Sequence, residues 1–301
     1  MSKRWCTVVP LHHWGTIEVP FKLADDVVIA TSPAWIQSEE ILNDLASDDR
    51  EILKGRRYVL MREYDADSYG DPDREWSGKS PRSKQDKALE TIQLANLALW
   101  IVKPCSIGFS RILIADCPQG TWNRVYCGRD YPLTPHTNDI GNKLDRNDLI
   151  LATKLHSTLC LLAKDGVVWI AARTLWVALK QMEWPIRYLH LWIVLEALYG
   201  SKDARETTYR LSQRLAFFLS SDRTQAQKLF EVAKRGYSWR SRVAHGMRLA
   251  RLSPETSREL MYEVEGLARE SLRKILLNPE WIKTFSGGKR EEHLDALIFS
   301  A

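Results

Sequence analysis

The residue types best suited to acid–base work on a phosphodiester fall together in one run, Tyr237-Ser238-Trp239-Arg240-Ser241-Arg242-Val243-Ala244-His245-Gly246. An imidazole with an unperturbed pKa of about 6.5 takes or gives a proton near neutral pH, which cleavage by a ribose 2′-hydroxyl requires. If Ser238 caps a helix, Arg240 lies in its first turn, where free amide N–H groups and the positive dipole end favour a phosphate. The run sits in a basic band. Residues 205–251 hold 11 Lys and Arg against 3 Asp and Glu. Such an excess fits an anionic partner such as nucleic acid, and a solvated basic helix face is the bland alternative. At about 100° per residue, Arg240 and His245 stand roughly 140° apart on one helix. Convergence on one point therefore calls for a second copy, as a two-fold dimer supplies. The competing reading is a His at a helix end and an Arg bonding a carboxylate.

Other constellations carry less. Asp65, Asp67, Gly70, Asp71 and Asp73 resemble a calcium loop, yet Tyr69 and Trp76 stand where oxygen ligands are needed. Cys105, Cys117, Cys127 and His136 lack the close Cys pairs of zinc sites, and His12 and His13 near Cys6 are no stronger. The five cysteines, Cys160 included, are thinly spread, which argues against a disulfide framework and for buried small hydrophobes in a reducing compartment. Gly287-Gly288-Lys289-Arg290 lacks the remaining residues of a phosphate-binding loop and reads as a flexible tail. The twelve tryptophans, mostly at helical spacing, read as core rather than as a base-stacking platform. No cofactor is expected. Neither apolar stretch, 167–172 nor 189–195, is long enough to span a membrane, and the N-terminal residues do not read as a secretory signal. A cytoplasmic protein is the expectation.

Two halves must position the candidate run. Strands are expected at 16–21, 26–31, 57–62 and 109–115, with a helix over 87–102 ending before Pro104. Polar stretches at 65–81 and 132–147 read as loops, and the second marks a boundary between domains 1–147 and 148–301. Beyond it, helices are expected at 149–163, 168–182, 185–199, 204–219, 224–235, from Ser238, and at 255–276 after a Ser253-Pro254 cap. Gly200 closes the third of these, and Gly236 interrupts the chain ahead of Ser238. The fold class is thus an α+β N-terminal region followed by an all-α helical bundle.

At this point the chain resembles the HEPN superfamily, and within it the Apea-like branch. The signature is an Arg followed by a polar residue and, four to six residues on, a His, matched by Arg240, Ser241 and His245. Tyr237 and Gly246 match the fuller form of the branch, and Leu195-Glu196-Ala197-Leu198 and Arg214-Leu215-Ala216 are similar to two further stretches. The resemblance covers roughly residues 150–280. It implies a HEPN-type bundle that dimerises through the motif helices, and metal-independent RNA cleavage in toxins, anti-phage defence or stress response. Carried onto this chain, His245 is the general base, Arg240 stabilises the phosphoryl oxygens, and Ser241 orients either group. Arg242, Arg235 and Lys234 hold the RNA backbone, while Tyr237, Glu196 and Arg214 support the motif. The implied partners are RNA, tRNA among them, a second copy, and an antitoxin or regulatory protein. A non-catalytic RNA- or nucleotide-binding or dimerisation module is the alternative.

Overall fold

The computed structural model describes residues 3–11, 17–24, 26–67, 83–105, 107–116, 124–130, 143–201, 207–245 and 253–299. The chain divides into two compact units, 1–160 and 161–301. The first is α+β and the second is built of helices. The division falls at the end of the helix at 146–161, whereas the sequence placed it at the start of that helix.

In the first unit six strands form one antiparallel sheet: β1 (Lys3–Pro10), β2 (Phe21–Lys22), β3 (Val27–Thr31), β4 (Tyr58–Ala66), β5 (Arg111–Asp116) and β6 (Arg124–Arg129), in the order β2-β3-β4-β1-β5-β6. The sequence did not anticipate β1 or β6. β1 lies between β4 and β5, with Trp5 through Pro10 buried, so its run shows no alternation of apolar and polar residues. The strand expected at 16–21 reduces to β2, because Pro20 has no N–H to give a ladder.

One sheet face presents Cys6, Val8, Val59 and Leu113 to α1 (Glu39–Asp44) and α2 (Ser47–Leu53) through Ile41, Leu42, Leu45 and Leu53. The helix α3 (Lys84–Val102) packs against β1, β3 and β4. It starts three residues earlier than its apolar pattern, because Ser83 and Asp86 form a capping box. Arg62 of β4 donates to the Thr91 hydroxyl at 2.8 Å. The helix α4 (Arg146–Leu161) closes the unit, tied to α3 by His156 and by the Lys103–Asp148 pair at 3.4 Å.

The second unit comprises α5 (Val167–Lys180), α6 (Trp184–Tyr199), α7 (Thr207–Leu219), α8 (Arg223–Ala244), α9 (Pro254–Leu276), α10 (Pro279–Ser286) and α11 (Arg290–Phe299). α5 and α6 pack as one hairpin, α7 and α8 as another, and α9 touches all four. Ser253 caps α9 by accepting from the Thr256 amide at 3.2 Å, with Pro254 in the first turn. Between α6 and α9 the Arg187–Glu265 pair is buried, at 2.5 Å.

Three expectations are corrected here. The residues read as a tail, Gly287 to Arg290, join α10 to α11, and Arg214 of α7 fixes α11 through Asp295 at 2.7 Å and Glu291 at 3.2 Å. No new helix starts at Ser238: α8 runs unbroken through Gly236, from a cap in which Asp222 accepts from the Gln225 amide at 2.7 Å. Cys160 is exposed and Cys127 half-buried, while Cys6 and Cys105 are buried as expected; all four are free thiols. Gly200 does close α6, but with extended backbone: a Cβ there would lie 2.4 Å from the Glu196 carbonyl oxygen, so close approach selects the glycine. Among the described residues no helix is long and apolar enough to cross a membrane. Gly70, Asp71, Asp73, Cys117, His12, His13, His136 and most of the 65–81 and 132–147 stretches lie outside the described residues.

His156 is 1% exposed, and its Nε2 lies 3.1 Å from the Thr91 carbonyl oxygen. A carbonyl only accepts, so Nε2 carries the proton and the buried Nδ1 has no partner. Burial pushes its pKa below the ordinary histidine value, with Arg62 acting in the same direction and the Thr91 carbonyl and Asp26 opposing. The unfolded chain therefore binds this proton more readily, and stability present above pH about 6.5 is lost as the pH falls. We expect thermal unfolding to occur at lower temperature at pH 5.5 than at pH 7.5, with a smaller difference in His156→Gln; equal differences would assign the pH dependence elsewhere.

Candidate active site

The candidate run forms the last two turns of α8, and two aromatic residues of α6 set its place. Gly236 faces them so closely that a Cβ would lie 2.8 Å from Trp192 Cζ2 and 3.4 Å from the Tyr188 hydroxyl. Tyr188 donates to the Gly236 carbonyl oxygen at 2.7 Å. Its own pKa is pushed up to about 12, chiefly by burial, so it remains a donor. The Trp192 ring meets Tyr237 edge to face, 5.2 Å between centroids. Tyr188, Trp192 and Glu196 recur every four residues along one face of α6, so the same row that receives Gly236 ends in a carboxylate.

That carboxylate holds Arg240. Nε lies 3.1 Å from Glu196 Oε1, and Nη2 donates to Oε2 at 3.2 Å. The Glu196 charge also acts on the Tyr237 hydroxyl, whose pKa is raised by burial first and by that charge second. The guanidinium carbon lies 5.7 Å from the Tyr237 ring centroid. Glu196, Tyr237 and Arg240 are therefore one cluster joining α6 to α8. Because the carboxylate occupies one edge of the guanidinium, the opposite edge keeps its donors.

His245 stands apart from that cluster. It is the C-cap of α8, solvent-exposed, with its amide N–H donated to the Ser241 carbonyl at 3.1 Å. Ser241 is half-buried. Among the described residues no hydrogen bond joins Arg240 to His245, in keeping with their separation around the helix. The run lies at the C-terminal end of α8, where carbonyl groups face outward, so the amide-rich helix start expected for Arg240 does not exist. Any phosphate here meets side-chain donors and the negative end of the helix dipole. Gly246 lies outside the described residues.

The three candidate RNA-contacting residues separate. Arg235 is held by both oxygens of Glu263, at 2.6 and 2.7 Å, so its charge is compensated. Lys234 lies over the Phe230 ring at 5.5 Å and Arg242 over the Trp239 ring at 4.5 Å. Both are exposed, and among the described residues neither is paired with a carboxylate. Arg214, 1% exposed, is away from the run: besides binding α11, it donates to the Tyr199 carbonyl at 3.3 Å. It thereby satisfies the C-terminal end of α6, one turn beyond Glu196. Tyr188, Trp192 and Trp239 were not singled out from the sequence; the four-residue spacing of the first two with Glu196 is the signal that points to them.

Among the described residues no group of three or more His, Cys, Asp or Glu is arranged to hold a metal ion. Comparison with protein-family models, curated proteins and solved structures finds no match.

Packing and charge make different demands here. Alanine favours a helix over glycine by about 1 kcal/mol, but overpacking a tight contact costs roughly 1–3 kcal/mol. Gly236→Ala is therefore expected to destabilise the protein on balance, measured by urea unfolding. A half-exposed ion pair contributes about 1 kcal/mol or less, so Glu196→Gln should shift the same curve little. A more stable Gly236→Ala protein would show that the α6–α8 contact is looser than described.

Proposed function

We propose that this chain is a metal-independent endoribonuclease of HEPN type. The observation that carries the proposal is the Glu196–Tyr237–Arg240 cluster at the end of α8, which fixes a guanidinium five residues before the exposed His245. His245 takes the proton of a ribose 2′-hydroxyl, and the oxygen attacks the adjacent phosphorus. Arg240 offers its open edge to the phosphoryl oxygens as charge builds on them. The 5′-oxygen leaves with a proton from the His245 of a second copy, giving a 2′,3′-cyclic phosphate and a 5′-hydroxyl. Ser241 acts through its carbonyl, which holds the His245 backbone in place. Lys234 and Arg242 attract the RNA backbone, whereas Arg235, neutralised by Glu263, contributes less.

The second copy docks through the motif helices in this reading, α6 with Glu196 and α8 with the run. Ile186 and Ile193 of α6, each 44% exposed, and the half-buried Leu189 share one helix face with Glu196, and Ile170 and Val177 of α5 are also exposed. A homodimer joined along that face brings two copies of the run together. A toxin, anti-phage defence or stress-response role, RNA substrates such as tRNA, an antitoxin or regulatory partner, and a cytoplasmic location belong to the same proposal.

A second reading, a non-catalytic RNA- or nucleotide-binding or dimerisation module, draws on the same ion pair, since an arginine bonded to a carboxylate also serves structure alone. Cleavage separates the two. Incubated with total RNA and tRNA in excess EDTA, the wild-type protein should leave cyclic phosphate ends, and His245→Ala should lower the rate by about 10²-fold or more. Arg240→Ala should cost about 10²–10³-fold through lost charge stabilisation. Intact RNA with every folded variant would favour the binding module, and equal cleavage by wild type and His245→Ala would remove His245 from the site.

A further inference from the structure

We infer that Arg242, laid against the Trp239 indole, is a stacking platform for one unpaired base of the bound RNA. The inference rests on the ribonuclease reading above and adds a base-contacting residue to that site.

Three arginines lie close together on the last turns of α8, and they are placed differently. Arg235 and Arg240 are each gripped by a carboxylate, Glu263 and Glu196. Arg242 has no such partner among the described residues; its guanidinium carbon lies 4.5 Å from the Trp239 ring centroid. A guanidinium is planar and weakly hydrated, so contact with an indole favours a stacked arrangement while leaving the other face open. Arg242 is exposed and Trp239 half-buried, so the indole supports the guanidinium from below. An open guanidinium plane is a surface on which unstacked RNA bases settle.

Its place relative to the chemistry matters as much. Three residues along a helix bring side chains within about 60° of one another, so Arg242 and the exposed His245 project to the same side of α8. A base resting on Arg242 belongs to a nucleotide at or next to the phosphate that His245 serves. The chemistry asks for the same thing. Attack by the 2′-oxygen requires it to stand in line with the departing 5′-oxygen, and a paired A-form strand holds it off that line. A platform that captures a base only when it is unpaired thus selects the strands able to react. Lys234, over Phe230, carries a compact ammonium that suits phosphate and offers no plane to a base.

The test uses the full chain carrying His245→Ala, so that RNA stays intact, and measures by fluorescence anisotropy the binding of a single-stranded oligoribonucleotide, its duplex and an abasic strand with the same phosphates. The single strand should bind about tenfold more tightly than the abasic strand, the margin of one stacked base. Adding Arg242→Lys, which keeps the charge and removes the plane, should erase that margin and leave abasic binding unchanged. Trp239→Leu should narrow it, and Trp239→Phe should retain it; circular dichroism checks that each variant is folded. A duplex bound as tightly as the single strand, or an Arg242→Lys loss shared equally by both strands, overturns the platform. Cleavage by the wild-type chain is read separately: a base-dependent margin without cleavage supports the platform and overturns the ribonuclease reading.

Discussion

Everything at the candidate site depends on the close approach of α8 to α6 at Gly236. There is no room for a side chain between that backbone and the Trp192 ring. The absence of one lets Tyr188 reach the Gly236 carbonyl oxygen and lets Tyr237 meet Trp192 edge to face. Packed interiors transmit such constraints, since a shift of one methyl group displaces its neighbours. With the two helices held at this spacing, Glu196 lies within reach of Arg240 four residues past Gly236. The ion pair is therefore a consequence of the packing, and its modest energy is enough to orient a guanidinium that the helices have already brought near.

The C-terminal end of α6 is held from the other side by cations. Arg290 donates to the Ala197 and Gly200 carbonyls at 2.6 and 3.2 Å, and Arg214 reaches the Tyr199 carbonyl while binding Asp295 and Glu291 of α11. These carbonyls have no partner within their own helix, so buried donors replace the water they lose. Glu196 lies within this stabilised turn, its carbonyl accepting the Gly200 amide at 2.8 Å. The last helix of the chain is in this way part of what keeps the Arg240 partner in place.

Charge along α8 is sorted by pairing. The arginines that lean toward α6 and α9 are neutralised by Glu196 and Glu263, whereas Lys234 and Arg242 face solvent over aromatic rings. Of the basic band, only part is thus available to an anionic partner. Its open members lie on the side of the helix that carries His245, so the unpaired cations and the imidazole share one surface.

By itself the sequence determined the broad division into an α+β part and a helical part, and the extent of most helices. Apolar spacing and caps such as Ser253-Pro254 act within a few residues and need no distant partner. It also marked the run from Tyr237 to His245 as chemically distinct. The central strand β1 was hidden, because burial on both faces erases the alternation by which strands are read. Gly236 was taken for a break because its backbone freedom is visible in the sequence, while the Trp192 ring that makes glycine necessary lies on another helix. Only the tertiary structure decided that the run ends a helix instead of starting one, that Arg240 belongs to Glu196, and that Arg235 is neutralised while Arg242 stays open. Those outcomes depend on which side chains face each other across helices distant in the chain, and local pattern carries no record of that.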